Sequence, residues 1–151
     1  MKDFFIRRAK KDDFGAVSAL IETAKLPLDG VAGSFDNFVV AEGNWIEVVG
    51  AAGLEVYGRF SLLRSVVVAP GWQGYGVGRA LTGEILSRAR ARNIDDVFLL
   101  TTTAENFFPS FGFQRIERAD IPVELEQSSE LRGACPASAT VMKLSLFSGR
   151  A

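Results

Sequence analysis

Histidine is absent from the chain, and cysteine occurs once, at Cys135. Within this sequence that rules out a Ser-His-Asp triad, a Cys-His pair, a His-ligated zinc site, an internal disulfide and a cysteine metal cluster. Chemistry is left to carboxylates, hydroxyls and the backbone. The most informative backbone feature is Val66-Val67-Val68-Ala69-Pro70-Gly71-Trp72-Gln73-Gly74-Tyr75-Gly76-Val77-Gly78-Arg79-Ala80. A β-branched run enters a glycine-rich turn, and the turn opens a helix. Glycine permits backbone conformations that other residues avoid and lets a ligand approach the main chain. Free N–H groups at the helix start point at one spot, where the helix dipole favours an anion. Such a loop is a pyrophosphate cradle by construction; for the glycines alone, a plain strand-to-helix turn is the competing reading. The spacing separates the nucleotide motifs. A P-loop needs Gly-Lys-Ser/Thr, and here Gly78 is followed by Arg79 and Ala80. A dinucleotide fingerprint starting at Gly76 needs a third glycine where Leu81 stands. What remains is Gln73-x-x-Gly76-x-Gly78.

The elements that must position this loop follow from the rest of the chain. The 151 residues are 48% hydrophobic and 23% charged, ordinary for one soluble domain with a real core. No repeat or linker divides them, so residues 1–151 read as a single domain. A net charge of −1 gives no electrostatic reason to expect a nucleic acid or an anionic membrane as partner. No stretch reaches the roughly 20 apolar residues of a membrane span. The N-terminus has only Phe4-Phe5-Ile6 before basic residues, unlike a secretory signal, so the expected compartment is the cytoplasm.

Phe4 to Arg8 reads as a strand. Phe14, Val17, Leu20, Ile21 and Ala24 then recur at helical steps from Asp12 and Asp13 up to Pro27. A short second helix fits somewhere between Leu28 and Asn37. Phe38 to Ala41 and Trp45 to Tyr57 predict a hairpin. Gly58 to Ser61 predicts a turn, and Leu62 to Val68 a strand buried on both faces. A helix is expected from Val77 to Arg92, with Val77, Leu81, Ile85 and Ala89 inward, then a strand from Asp96 to Thr103. A short helix from Ala104 to Phe111 and strands at Phe113–Arg118 and Thr140–Phe147 complete the chain. A helical crossover between consecutive strands implies a locally parallel unit. The fold class is therefore α/β (α+β mixed), a mixed and mostly antiparallel sheet with helices on both faces.

Gln73-x-x-Gly76-x-Gly78, with its strand, its Val68-Ala69-Pro70 step and its helix, resembles the acetyl-CoA motif of the GNAT acyltransferases. Leu99 to Glu105 and Phe108-Pro109-Ser110-Phe111-Gly112-Phe113 look like that family's fifth strand, next helix and Gly-Phe ending. The segments 50–57, 62–68 and 132–138 look like its arsenic-resistance N-acetyltransferase branch. The resemblance implies a sheet splayed between the fourth and fifth strands, with the pantetheine arm of acetyl-CoA in the gap. It implies that backbone groups of Val66, Val67 and Val68 pair with the pantetheine amides. Gln73 opens the motif, and N–H groups across Gly74, Tyr75, Gly76, Val77, Gly78 and Arg79 would hold the pyrophosphate. Arg79 adds charge near a phosphate or stands as a solvated helix-face arginine. Members often carry a tyrosine four residues before the Gly of Gly-Phe, as acid for the leaving thiolate. Here that position is Phe108, counted with the CoA-binding residues. Many also carry a glutamate near the start of the fourth strand, where this chain has Leu62. Ser110 or water is left as proton source.

Glu55 is the remaining candidate base, acting directly or through water on an ammonium, or else an exposed strand residue paired with Arg59 or Arg64. Arg64 interrupts an apolar strand, where a charge is costly unless partnered. It either pairs with Glu55 or, with Ser65 beside it, faces the cleft and grips a substrate carboxylate. Cys135 is a nucleophile, an arsenical ligand or a small core or cleft-lining residue. The expected activity is transfer of acetyl from acetyl-CoA to a primary amine of a small molecule by direct attack, with no metal. The branch resemblance suggests an amino-acid-like acceptor, an arsenic- or phosphorus-containing glutamate analogue being one option. A homodimer is compatible with this sequence. The alternative function is a non-catalytic acyl-CoA-binding sensor or partner subunit.

Overall fold

The structure, a computed structural model, describes residues 2–147. The strands are β1 (Phe5–Arg8), β2 (Phe38–Glu42), β3 (Val48–Tyr57), β4 (Phe60–Val68), β5 (Asp96–Thr101), β6 (Gln114–Ile116) and β7 (Thr140–Ser145). The helices are α1 (Phe14–Thr23), α2 (Val31–Ser34) and α3 (Val77–Ala91). The strands form one sheet in the order β1-β2-β3-β4-β5-β7-β6. Neighbours are antiparallel except β4 and β5, which α3 joins as a parallel crossover.

Alternation along the strands assigns the two faces. Val39, Ala41, Ala52, Leu54 and Leu63 turn toward Val77, Leu81, Ile85, Leu86 and Ala89 of α3. Phe38, Val40, Ala51 and Val67 turn the other way, onto Val17 and Ile21 of α1 and Val31 of α2. The apolar stripe expected on α1 is narrower than the periodicity suggests. Phe14 is 37% exposed and packs edge-on against Phe35, while the α1 residues counted as buried are Val17 and Ile21. Gly53 of β3 is required by packing: a Cβ there would lie 2.2 Å from the ring of the fully buried Phe38.

Several boundaries differ from the sequence expectations. Trp45 and Ile46 belong to the turn before β3, with Ile46 at φ +60° and both residues more than four-fifths exposed. Bulky apolar residues there imitate a strand start, but no neighbouring strand covers them. The strand β4 begins at Phe60, two residues before the predicted start, because Tyr57 pairs with Phe60 across a tight turn. The predicted helix over Ala104–Phe111 is reduced to a 3-10 turn at Phe108–Phe111, closed by Gly112 at φ +101°. The predicted strand ends at Thr103, Arg118 and Phe147 each retreat, to Thr101, Ile116 and Ser145.

Two irregularities shape the centre of the sheet. β4 and β5 pair only at Phe60–Asp96, Ser61–Val97 and Leu62–Phe98, and beyond Leu62 the parallel strands part. Against β3, Ala51 opposes Val67 and Gly53 opposes Arg64, so Ser65 and Val66 together face the single residue Ala52. That is a β-bulge, and Ser65 adopts φ +57° to form it.

Candidate active site

The parting of β4 and β5 opens a cavity of about 490 Å³. Its walls come from five parts of the chain. The bulged strand supplies Arg64, Ser65 and Val66, and β5 with the segment after it supplies Leu99 to Ala104. The loop between α1 and α2 contributes Lys25 and Asp29; the segment before β7 contributes Glu130 and Cys135. Phe108 closes one side, stacked edge-on with Phe107 and Phe113.

Past the cavity, β4 runs into the glycine loop. Gly74 and Gly76 both sit at φ +85°, and a Cβ on either would meet nothing within 4 Å. Backbone conformation selects glycine at these positions, and the space above them is open. Gly76 precedes α3 and no side chain caps the helix. The first intrahelical bond runs from the Ala80 N–H to the Gly76 carbonyl, at 3.0 Å. The N–H groups of Val77, Gly78 and Arg79 thus have no partner inside the helix, which is the condition for an anion site. Val77 is buried and anchors the turn. Gln73 reaches back toward the Val68 carbonyl at 3.4 Å, and Tyr75 is 54% exposed.

This combination of a parted parallel strand pair, a bulge and an uncapped helix start behind a glycine loop matches a known family. Residues 34–115 match the family described as acetyltransferase (GNAT) domain. The chain belongs to the GNAT acetyltransferase family. An amino-acid acetyltransferase of Mycobacterium tuberculosis is 32% identical over 129 residues, covering 80% of this chain and 74% of that one. Rv2747 from Mycobacterium tuberculosis, solved in complex with CoA and NLQ, superposes with a TM-score of 0.80 at 27% identity, over 95% of this chain and 99% of that one. N-acetylglutamate synthase from Neisseria gonorrhoeae, complexed with coenzyme A and N-acetyl-glutamate, gives a TM-score of 0.81 at 21% identity. That likeness covers 96% of this chain but 35% of the gonococcal one, so it speaks to the fold.

The acetyltransferase uses acetyl-CoA, and its open glycine loop, uncapped α3 and parted strands fit that molecule. Among the described residues no group of three or more His, Cys, Asp or Glu side chains could hold a metal ion. No helix among them is long and apolar enough to cross a membrane.

The candidate side chains do not all meet. Arg64 lies in the cavity wall with its side chain fully buried, and its donors are already directed. Nη1 donates to Glu55 Oε2 and to the Asp29 carbonyl, both at 2.6 Å. Nη2 donates to the Pro27 carbonyl at 2.9 Å, and Nε to Ser65 Oγ at 3.1 Å. Arg64 thereby ties β3 and the α1–α2 loop to the bulge. Glu55 has its other oxygen, Oε1, occupied by the Tyr57 hydroxyl at 2.5 Å. It faces a separate hollow of about 330 Å³ beside Gly30 and Gln127. Burial and then the Glu55 carboxylate push the Tyr57 hydroxyl up to about 12, so it stays protonated. Ser110 Oγ donates to the Phe107 carbonyl at 2.9 Å and accepts from Arg79 Nη2 at 3.0 Å; it is not among the residues lining the cavity. Arg79 also lies over the rings of Phe107 and Phe111.

Glu130, Lys25 and Asp29 line the cavity and were not singled out by sequence reasoning. Glu130 is 4% exposed and opens a kinked turn, Glu130–Ala134, in which Gly133 takes φ +115°. Burial, reinforced by the nearby Glu55 charge and opposed by Arg64, pushes the Glu130 carboxyl up to about 7. Its neighbour Cys135 is pushed up to about 12, by burial and by the Glu130 charge. The cysteine is therefore a thiol at neutral pH, unsuited to act as a thiolate nucleophile.

In the unfolded chain the Glu130 carboxyl ionises near 4.5, whereas in the fold it resists ionisation up to about 7. Between those values the unfolded state releases the proton first, so this group makes stability fall as pH rises, by on the order of 3 kcal/mol once pH passes 7. Urea denaturation of wild type and Glu130→Gln at pH 5 and pH 8 should show the variant gaining on wild type at the higher pH. An equal difference at both values would rule out a raised carboxyl at this position.

Proposed function

We infer that this acetyltransferase moves acetyl from acetyl-CoA to the amino group of a small amino-acid-like acceptor bound in the cavity between β4 and β5. The observation that carries this reading is the cavity itself. It begins where β4 and β5 stop pairing, and it brings the bulge at Ser65–Val66 to the same space as Lys25, Asp29, Glu130 and Cys135. Its lining combines strand backbone suited to an amide-bearing arm with side chains of both charge signs, as a zwitterion requires.

Acetyl-CoA supplies the activated acetyl group, as a thioester whose thiolate is a good leaving group. Val66, Val67 and Val68 offer main-chain partners for the pantetheine amides, and the N–H groups from Gly74 to Arg79 hold the pyrophosphate. The bulge leaves β4 main-chain groups outside the ladder, where an N–H can stabilise negative charge developing on the acetyl oxygen. The Lys25 ammonium is available to an acceptor carboxylate. Arg64 and Ser65 set the shape of that end, and Cys135 fills its wall. The Phe108 ring packs beside the reacting atoms without donating a proton. A thiol of ordinary pKa, about 8.5, needs little help to depart as thiolate, so water suffices.

The Mycobacterium tuberculosis relative is an amino-acid acetyltransferase, which supports an amino acid as acceptor. The likeness in segments 50–57, 62–68 and 132–138 widens the class to arsenic- or phosphorus-containing glutamate analogues, which present the same amino-acid end. The cytoplasm is the compartment that fits a lone thiol and a CoA substrate.

Thiol release from acetyl-CoA, measured against all twenty amino acids, glutamate analogues and a set of polyamines and aminoglycosides, tests the reading. Acetylation of one or a few amino acids is expected. Turnover with polyamines or aminoglycosides alone would overturn the acceptor class, and no turnover with any amine would overturn the reaction.

A further inference from the structure

We propose, resting on the acetyl transfer just described, that Glu130 is the catalytic base, taking the proton of the acceptor ammonium within the cavity between β4 and β5. A base must lie in the reaction space and keep an oxygen available for the substrate proton. Glu55 has both oxygens bound, at 2.6 Å to Arg64 and 2.5 Å to Tyr57, and lines the other hollow. Glu130 lines the reaction cavity and is 4% exposed. Its Oε2 stands 3.5 Å from Arg64 Nε, too long for a good hydrogen bond, so the guanidinium lies near the carboxylate without capturing it. The Arg64 donors are directed instead to Glu55, Ser65 and the carbonyls of Pro27 and Asp29. The turn that carries Glu130 is held from within, its own N–H donating to Ser128 Oγ at 3.2 Å.

The charged and titratable groups around Glu130 come from every element packed on the cavity. Arg64 faces it from β4 and Glu55 stands behind Arg64 on β3. Cys135 is hydrogen-bonded to it from the end of its own turn. Lys25 and Asp29 complete the wall from the α1–α2 loop. Burial first, and then Glu55, hold the carboxyl near 7, where a base serves best at neutral pH. In the reaction the nitrogen lone pair forms the C–N bond and the C–S bond breaks with its electrons going to sulfur. Of the two protons that the ammonium gives up, one passes to Glu130 and on to water, and the other ends on sulfur.

The test is kcat as a function of pH for wild type, Glu130→Gln and Glu130→Asp, with CoA affinity by calorimetry and melting temperature for each. Wild type should lose kcat below about pH 7. Glu130→Gln should bind CoA as wild type does, with kcat lowered by about 100- to 10,000-fold and that acid limb gone. Glu130→Asp should keep the limb at a reduced rate. Folded Glu130→Gln with wild-type kcat and an unchanged limb would overturn the assignment alone. So would a wild-type profile flat from pH 6 to 8, a result that needs no variant to fold. Wild type inactive on every amine would overturn the acetyl-transfer reading, and the base with it.

Discussion

Replacing Arg64 with methionine is expected to lower the stability of the fold by about 3–5 kcal/mol, the usual cost of removing one member of a buried ion pair. For a chain of this length that is a fall in melting temperature on the order of 10 °C. The size follows from what is left behind. Glu55 is buried and would keep only the Tyr57 hydroxyl, and the Pro27 and Asp29 carbonyls would lose their donor. Glu130 would lose the guanidinium beside it. Arg64→Lys keeps the charge but not the fork, and should fall between wild type and Arg64→Met. Substituting both partners, as Arg64→Met with Glu55→Leu, should return much of the loss, because no orphaned charge remains. Denaturant midpoints of Arg64→Met, Glu55→Leu and the double variant, with wild type, close the cycle. Arg64→Met melting within about 2 °C of wild type, roughly a fifth of the expected fall, would show that the pair contributes little. Because the same guanidinium holds the α1–α2 loop against the cavity, the single variants should also raise KM for the amine more than they weaken CoA.

The second large effect is expected at Gly76. Valine there must adopt φ +85°, a region that costs a β-branched residue on the order of 1–3 kcal/mol, and its side chain projects into the open space before α3. CoA affinity should fall at least about tenfold, or 1.4 kcal/mol. Strain alone could produce some of this, so a matched control is needed. Gly58 also has positive φ, +66°, with open space around it, but it sits in the β3–β4 turn, at the other end of β4. Gly58→Val should lose comparable stability and bind CoA normally. Equal CoA affinity in folded Gly76→Val and Gly58→Val, by calorimetry, would remove the pyrophosphate from this loop.

Much of this architecture was legible in the sequence, for reasons that differ by region. The run Leu62–Val68, the glycine spacing and the α3 stripe are local patterns, and each was found within about two residues of where it lies. The parting of β4 from β5 was available only through family resemblance, since no periodicity encodes where a ladder stops. Trp45 and Ile46 misled because hydrophobicity says nothing about whether a neighbour exists to cover it. The cavity wall was the least legible part. Lys25 and Asp29 sit in a loop, and Glu130 lies in a stretch of turns from 118 to 139 with no helical or strand period. Nothing local distinguishes Glu130 from Glu124 or Glu126, yet Glu130 is buried and the other two are exposed. Its burial comes from contacts far off in the sequence, in a cavity wall shared with Arg64.

The three-rung contact between β4 and β5 also makes the sheet two panels joined at a hinge line. One panel is β1 to β4, the other β5, β7 and β6, and beyond Leu62 the edges of both expose ladder groups to the gap. A molecule whose own amides bridge that gap acts as a splint as well as a reactant. Occupancy by CoA should then slow amide exchange along Leu63–Val68 and Leu99–Thr101 together, although only β4 runs into the glycine loop. Loaded protein should resist opening along this line more than unloaded protein does.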